Sequence, residues 1–157
     1  METDLELGIA TMLRDATMQN VVLDLRTPTD WVEFNRIKDT ARQDEQNEIE
    51  TFRENKPELL VKAREELIDK AGSLTHGHPT PFGTDRFDKS TIDRQAMIKV
   101  ENDHQARLLG IQQRESDDYS DLKDDIHVRE QSRGRGREAF SRATDRRGNQ
   151  DRRMPER

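Results

Sequence analysis

The chain reads as an all-α protein: an elongated helical hairpin, one long helix, and an arginine-rich C-terminal tail that is disordered in isolation. Three observations predict this. Only 30% of the 157 residues are apolar and 4% aromatic, against 38% charged, too little for a compact core but enough for narrow stripes along helices. Apolar residues recur at steps of three and four, and no convincing pair of alternating stretches exists from which a sheet can grow. Capping residues stand ahead of each stripe, with an acid close behind.

The first helix is introduced by Thr3 with Glu6 three residues on, a capping box, and its stripe is Leu5, Ile9, Met12, Leu13 and Ala16. In "VVLDL", Val21, Leu23 and Leu25 alternate, so this stretch is helix or extended linker. "RTPTDWVEF" is a restart: Pro28 breaks what precedes, and Asp30 can cap with Glu33 behind it. Trp31, Phe34, Ile37 and Ala41 form one face, which Ile49 and Phe52 resume after a polar interval.

Asn55 and Pro57 then read as the start of another helix, with proline in the first turn where its missing amide costs nothing. Leu60, Ala63, Leu67, Ile68 and Ala71 share a face, and Gly72 is placed to end it. These two helices are expected to pair as an antiparallel hairpin. Ser90 caps the longest element, whose stripe runs through Ile92, Ala96, Val100, His104, Leu108, Ile111, Tyr119, Leu122 and Ile126. To Val128 it would be on the order of 55 Å long, and so narrow a stripe needs a partner helix. The implied organisation is an N-terminal helical part (1–72), a loop or hinge (73–89), a long helix (90–128) and a basic tail (129–157).

The stretch from Ser73 to Lys89 has no regular pattern and holds the densest chemistry. His76, His78, Asp85 and Asp88 are residue types that ligate zinc and related ions, which would suit a metal-dependent hydrolase. Their spacing matches no helical ligand pair, and the interleaved Pro79, Pro81 and Gly83 make turns. Phe82 and Phe87 anchor such a crossover to a helix face, so a hinge is the preferred reading and metal the second. His104, on the apolar stripe, reads as a core-edge histidine. The carboxylates of "ESDD" and "DLKDD" point to several sides of a helix and read as a solvated face. No phosphate-binding glycine loop, nucleophile elbow or dinucleotide fingerprint occurs, and cysteine is absent. A non-enzyme without a cofactor is expected.

Charge is distributed unevenly. Residues 1–72 carry a net −7 and residues 73–128 a net −4, while the last 29 residues carry ten arginines, five carboxylates and no lysine. Guanidinium groups favour bidentate contacts with phosphates or carboxylates. "SRGRGRE" is similar to short RG segments that bind nucleic acid through phosphate pairing and base stacking. The candidate nucleic-acid or anion contacts are therefore Arg133, Arg135, Arg137, Arg142, Arg146, Arg147, Arg152 and Arg153.

Those same eight arginines resemble the hydrophilic, arginine-rich C-terminal signals of type IV secretion substrates, over about a fifth of the chain. The polar, cap-rich helices are similar in style to small accessory proteins of plasmids and phages. The resemblance implies a mobile genetic element and contact with DNA-transfer machinery or a virion.

The expected function is thus a non-catalytic accessory or interaction protein. Val100, His104, Leu108, Ile111, Tyr119 and Leu122 would form the face for a protein partner or self-association, and the tail would hold nucleic acid or another anionic partner. A phage virion or connector component, and an acidic DNA mimic, are the alternatives. With no basic, apolar leader and no run of roughly 20 apolar residues, no membrane contact is expected. The expected location is cytoplasmic, with a virion or export through type IV secretion as alternatives.

Overall fold

The computed structural model describes residues 2–75 and 89–151, and all but a short connection of these are helical. Helix α1 spans Glu2–Asp24, α2 spans Pro28–Thr75 and α3 spans Lys89–Asp151. At 1.5 Å per residue, the 63 residues of α3 reach roughly 95 Å. Helix α3 is the spine on which both other helices pack.

Ion pairs give the directions. Asp24 lies near Lys123 and His127, while Thr11 lies beside Gln112, so α1 runs parallel to α3. Asp30 meets Arg129, Glu48 meets His104, and Arg64 meets Asp93, so α2 runs antiparallel to it. The result is a three-helix bundle where α1 is present and a two-helix hairpin beyond it.

Two cores follow from that division. In the bundle, Val21, Leu25, Phe34, Ile37, Tyr119, Leu122 and Ile126 are buried together. Tyr119 stacks on Phe34 with ring centroids 5.4 Å apart, and Trp31 meets Phe34 edge-on at 6.0 Å. In the hairpin, Ala63, Ala96 and Val100 are buried with Phe52, Leu59, Leu60 and Leu67 around them. Two alanines at the centre let two helices without a third approach closely enough to exclude water.

The α1–α2 turn is closed by a capping box that starts three residues earlier than Asp30 alone suggests. Thr27 is the cap: its Oγ1 accepts from the Asp30 amide at 3.2 Å, and Asp30 Oδ2 accepts in return from the Thr27 amide at 3.1 Å. Pro28 takes the first helical position, where no amide is needed. Asp30 is therefore the third residue of α2, and its carboxylate is free to do a second job described below.

The all-α architecture and the long third helix agree with the sequence reading; two particulars differ. The helices expected on either side of Pro57 are one helix, α2, which pairs with α3 instead of folding back on itself. Pro57 is exposed, so the carbonyl it leaves unpaired faces solvent, while Phe52, Leu59 and Leu60 pack on the hairpin core from both sides of the break. Tertiary packing thus carries the helix through a residue that ends isolated helices, and α2 also passes Gly72 to reach Thr75.

The second difference is the orientation of α1. Its expected core stripe, Leu5, Ile9, Met12, Leu13 and Ala16, is exposed, while Ala10 and Val21 are buried and Leu7, Thr11, Arg14 and Met18 are partly buried. Beyond residue 128, α3 continues to Asp151.

Candidate nucleic-acid interface

Helix α3 leaves the bundle at a defined point. Arg129 Nη2 donates to Asp30 Oδ1 at 2.6 Å, and Arg26 pairs with Glu130 at 3.5 Å. Asp30 is 3% exposed. Burial pushes its carboxyl up, but the Arg129 guanidinium and the Thr27 and Arg26 amides outweigh it and hold the group at about 2. The carboxylate that completes the capping box of α2 also clamps the last supported turn of α3.

Beyond that clamp every described side chain from 131 to 147 is exposed. Arg133, Arg135, Arg137, Arg142, Arg146 and Arg147 all lie here, and among the described residues none of them is ion-paired. Several cations of the body are paired: Arg14, Arg64, Lys99, Arg107 and Arg129 are each held by a carboxylate. Arg152 and Arg153 lie outside the described residues.

Helical spacing sorts the six arginines into two flanks. At about 100° per residue, Arg135, Arg142 and Arg146 fall together, and Arg133, Arg137 and Arg147 fall on the roughly opposite side. Gly136, Ala139 and Ala143 occupy one edge between the flanks, and Glu138 and Asp145 occupy the other. The helix therefore presents a slim, uncharged edge bracketed by guanidinium groups, with its acids turned away. Phe140, 73% exposed, stands beside Arg133 and Arg137. The Thr144 hydroxyl bonds back to the Ser141 carbonyl at 2.8 Å, within its own helix.

The other predicted residues have partners inside the chain. Val100, Ile111, Tyr119 and Leu122 are buried and Leu108 is partly buried, so α1 and α2 cover the stripe expected to receive a partner. His104 stacks on Phe52 with centroids 4.0 Å apart, and its Nδ1 lies 3.0 Å from Glu48 Oε1. Arg107 Nε donates to the same oxygen at 2.5 Å. Burial raises the Glu48 carboxyl, and the Arg107 and His104 contacts more than offset this, leaving it lowered. His104 is thus a core-edge residue locked by its neighbours.

One buried polar layer escaped the sequence reading. Glu115, 6% exposed, accepts from Tyr119 Oη at 2.8 Å and lies 3.7 Å from Arg14 Nη1, which also donates to Glu45 at 3.2 Å. Burial keeps the Glu115 carboxyl raised despite the Tyr119 bond, and burial also raises the Tyr119 phenol. The only signal was a glutamate standing within the stripe between Ile111 and Tyr119.

His76, His78, Asp85 and Asp88 lie outside the described residues. Among the described residues no three His, Asp or Glu side chains are grouped to hold a metal ion. No described helix is long and apolar enough to cross a membrane. Comparison with known protein families, with curated proteins and with solved structures gives no match.

Proposed function

We propose that the protein is a non-catalytic interaction protein that grips duplex nucleic acid with the basic end of α3, the helical body acting as its mount. The observation that carries this reading is the unsupported stretch 131–147, with six exposed and unpaired arginines on two flanks of one helix. An α-helix with side chains is about as wide as the major groove of B-DNA. Arginines on both flanks reach the phosphates of both walls, and the small edge at Gly136, Ala139 and Ala143 lets the backbone approach the groove floor.

Such contacts are mostly electrostatic and position the helix without reading sequence. The acidic body, net −11 over residues 1–128, repels the duplex and keeps the contact at the arm. An accessory role at DNA, of the kind found in mobile elements, fits a chain with one basic arm.

Fluorescence anisotropy of a labelled duplex, titrated with the full chain at several salt concentrations, tests it. Six phosphate contacts give a log–log salt slope of about −5, or roughly a thousandfold weaker binding between 50 and 200 mM salt. A chain ending at Glu130 should not bind. Equal binding by that truncated chain, or a slope near zero, would overturn the reading.

A further inference from the structure

Helix α1 has a second apolar face that no other described residue covers. Leu5, Ile9, Met12, Leu13 and Leu23 are 50 to 77% exposed and, with Ala16, lie opposite the residues that pack on α3. Only Gln19 and Asn20 interrupt this stripe, and it holds no charge from Leu5 to Leu23. It is about 27 Å long. A groove of about 480 Å³ between α1 and α3, where Ile9 and Leu13 meet Leu109 and Glu6 and Asp117 stand at the rim, extends it sideways. Contiguous apolar surface on the order of several hundred Å² marks an interaction site.

We infer that this face is the interface with a second copy of the chain, α1 against α1 and antiparallel about a two-fold axis near Arg14. A two-fold contact must be complementary to itself. In this register Leu5 meets Leu23 of the second copy, and Met12 sits over the small Ala16 of the second copy.

Charge selects the direction. A parallel pairing stacks the acidic first turn, Glu2 and Asp4, on its own copy. The antiparallel pairing sets Glu2 against Arg26 of the other copy, whose side chain is 65% exposed beside Glu130, and Asp4 against Asp24, so one of the two like-charge contacts is exchanged for an opposite-charge one. An uncharged stripe also suits a copy of this acidic protein better than a charged face would, because it brings no like charges into the contact. Since α1 is parallel to α3, the two basic arms project from opposite ends of the dimer. The assembly is a rod with a cationic helix at each end.

Light-scattering chromatography of the full chain should give twice its 18.4 kDa mass. Leu5→Glu with Met12→Glu should weaken the dimer at least about tenfold, with helicity by circular dichroism unchanged because both side chains are exposed. A monomer at the highest attainable concentration, or a dimer indifferent to the double variant, would overturn the proposal.

The orientation has its own test. The chain has no cysteine, so Leu5→Cys with Leu23→Cys should form a disulfide between chains on mild oxidation, and Leu5→Cys alone should not. Efficient crosslinking of the single variant would overturn the antiparallel arrangement. None of these results depends on nucleic-acid binding.

Discussion

Helix α3 contains two regions built on one continuous backbone and held by opposite means. From Ala96 to Arg129 it carries six core residues, Ala96, Val100, Ile111, Tyr119, Leu122 and Ile126, with Leu108 at the margin, and Lys99, Arg107 and Arg129 are paired with carboxylates of α2 and Lys123 with Asp24 of α1. From 131 to 147 every side chain is exposed, two glycines lie within the helix, and the arginines are unpaired. The first region gains its stability from burial and holds most of its cations in ion pairs. The second gives up burial and keeps every guanidinium available. An exposed basic arm thus rests on a helix whose upstream turns are already fixed, so the costly nucleation of a free helix is avoided.

The sharpest way to break that contrast is to damage the supported region. Tyr119 is fully buried, stacks on Phe34 and bonds to Glu115. Tyr119→Ala removes the ring and leaves a buried carboxylate without its donor, so a loss of about 3–5 kcal/mol in urea unfolding is expected. Tyr119→Phe separates the two parts, since it keeps the ring and should lose only the hydrogen-bond share, about 1–2 kcal/mol. Equal losses in the two variants would mean that the ring packing contributes nothing.

The clamp between the regions is next in size. Because the Asp30 carboxyl is held at about 2, below its ordinary 3.8, folding favours its ionised form. Its stabilisation is fully present above the ordinary value and is lost as pH falls through about 2, and it amounts to about 2 kcal/mol. Asp30→Asn should be less stable than the parent by about that amount at neutral pH, and the gap should close as pH approaches 2. A gap independent of pH would show that the charge of Asp30 is not what holds Arg129.

Much of the supported region was legible in the sequence, and the reasons for the misses are specific. The α3 stripe from Ala96 to Ile126 follows from spacing alone, because a helix packed on two neighbours must keep its apolar residues in register. The face of α1 was inverted for the opposite reason. Its inward side includes Thr11 and Arg14, which join Gln112, Glu45 and Glu115 across the bundle, so it is less apolar than the side it exposes. Pattern reading follows hydrophobicity and does not see a polar layer whose partners lie 31 to 101 residues away. The arginines were found by composition, but their two-flanked arrangement needed a helix, and the glycines argued against one.

Pro57 misled the reading in a similar way and gives a moderate, favourable effect. Its ring removes one helical hydrogen bond in the middle of α2, on a side open to solvent. Pro57→Ala restores the amide, and a gain of about 1–2 kcal/mol is expected in thermal or urea unfolding, less than the roughly 3 kcal/mol of an isolated helix because the unfolded chain also gains freedom. A destabilised variant would indicate that α2 needs the local bend that proline imposes.

The smallest effect on overall stability carries the most information about the arm. A Cβ added at Gly134 or Gly136 would meet nothing within 4 Å, so alanine is accommodated at both. Each change favours the helix by about 1 kcal/mol locally, yet neither position touches the bundle, and the main unfolding transition should not move. Helicity by circular dichroism should rise, since fraying of 131–151 then costs more. If the arm enters a groove as a helix, the double variant pays less ordering entropy on binding and should hold a duplex about tenfold more tightly at fixed salt. Unchanged or weaker binding, together with the gain in helicity, would mean that the glycines serve an arm that binds in another conformation, and the two-flank geometry would then not be the one that meets nucleic acid.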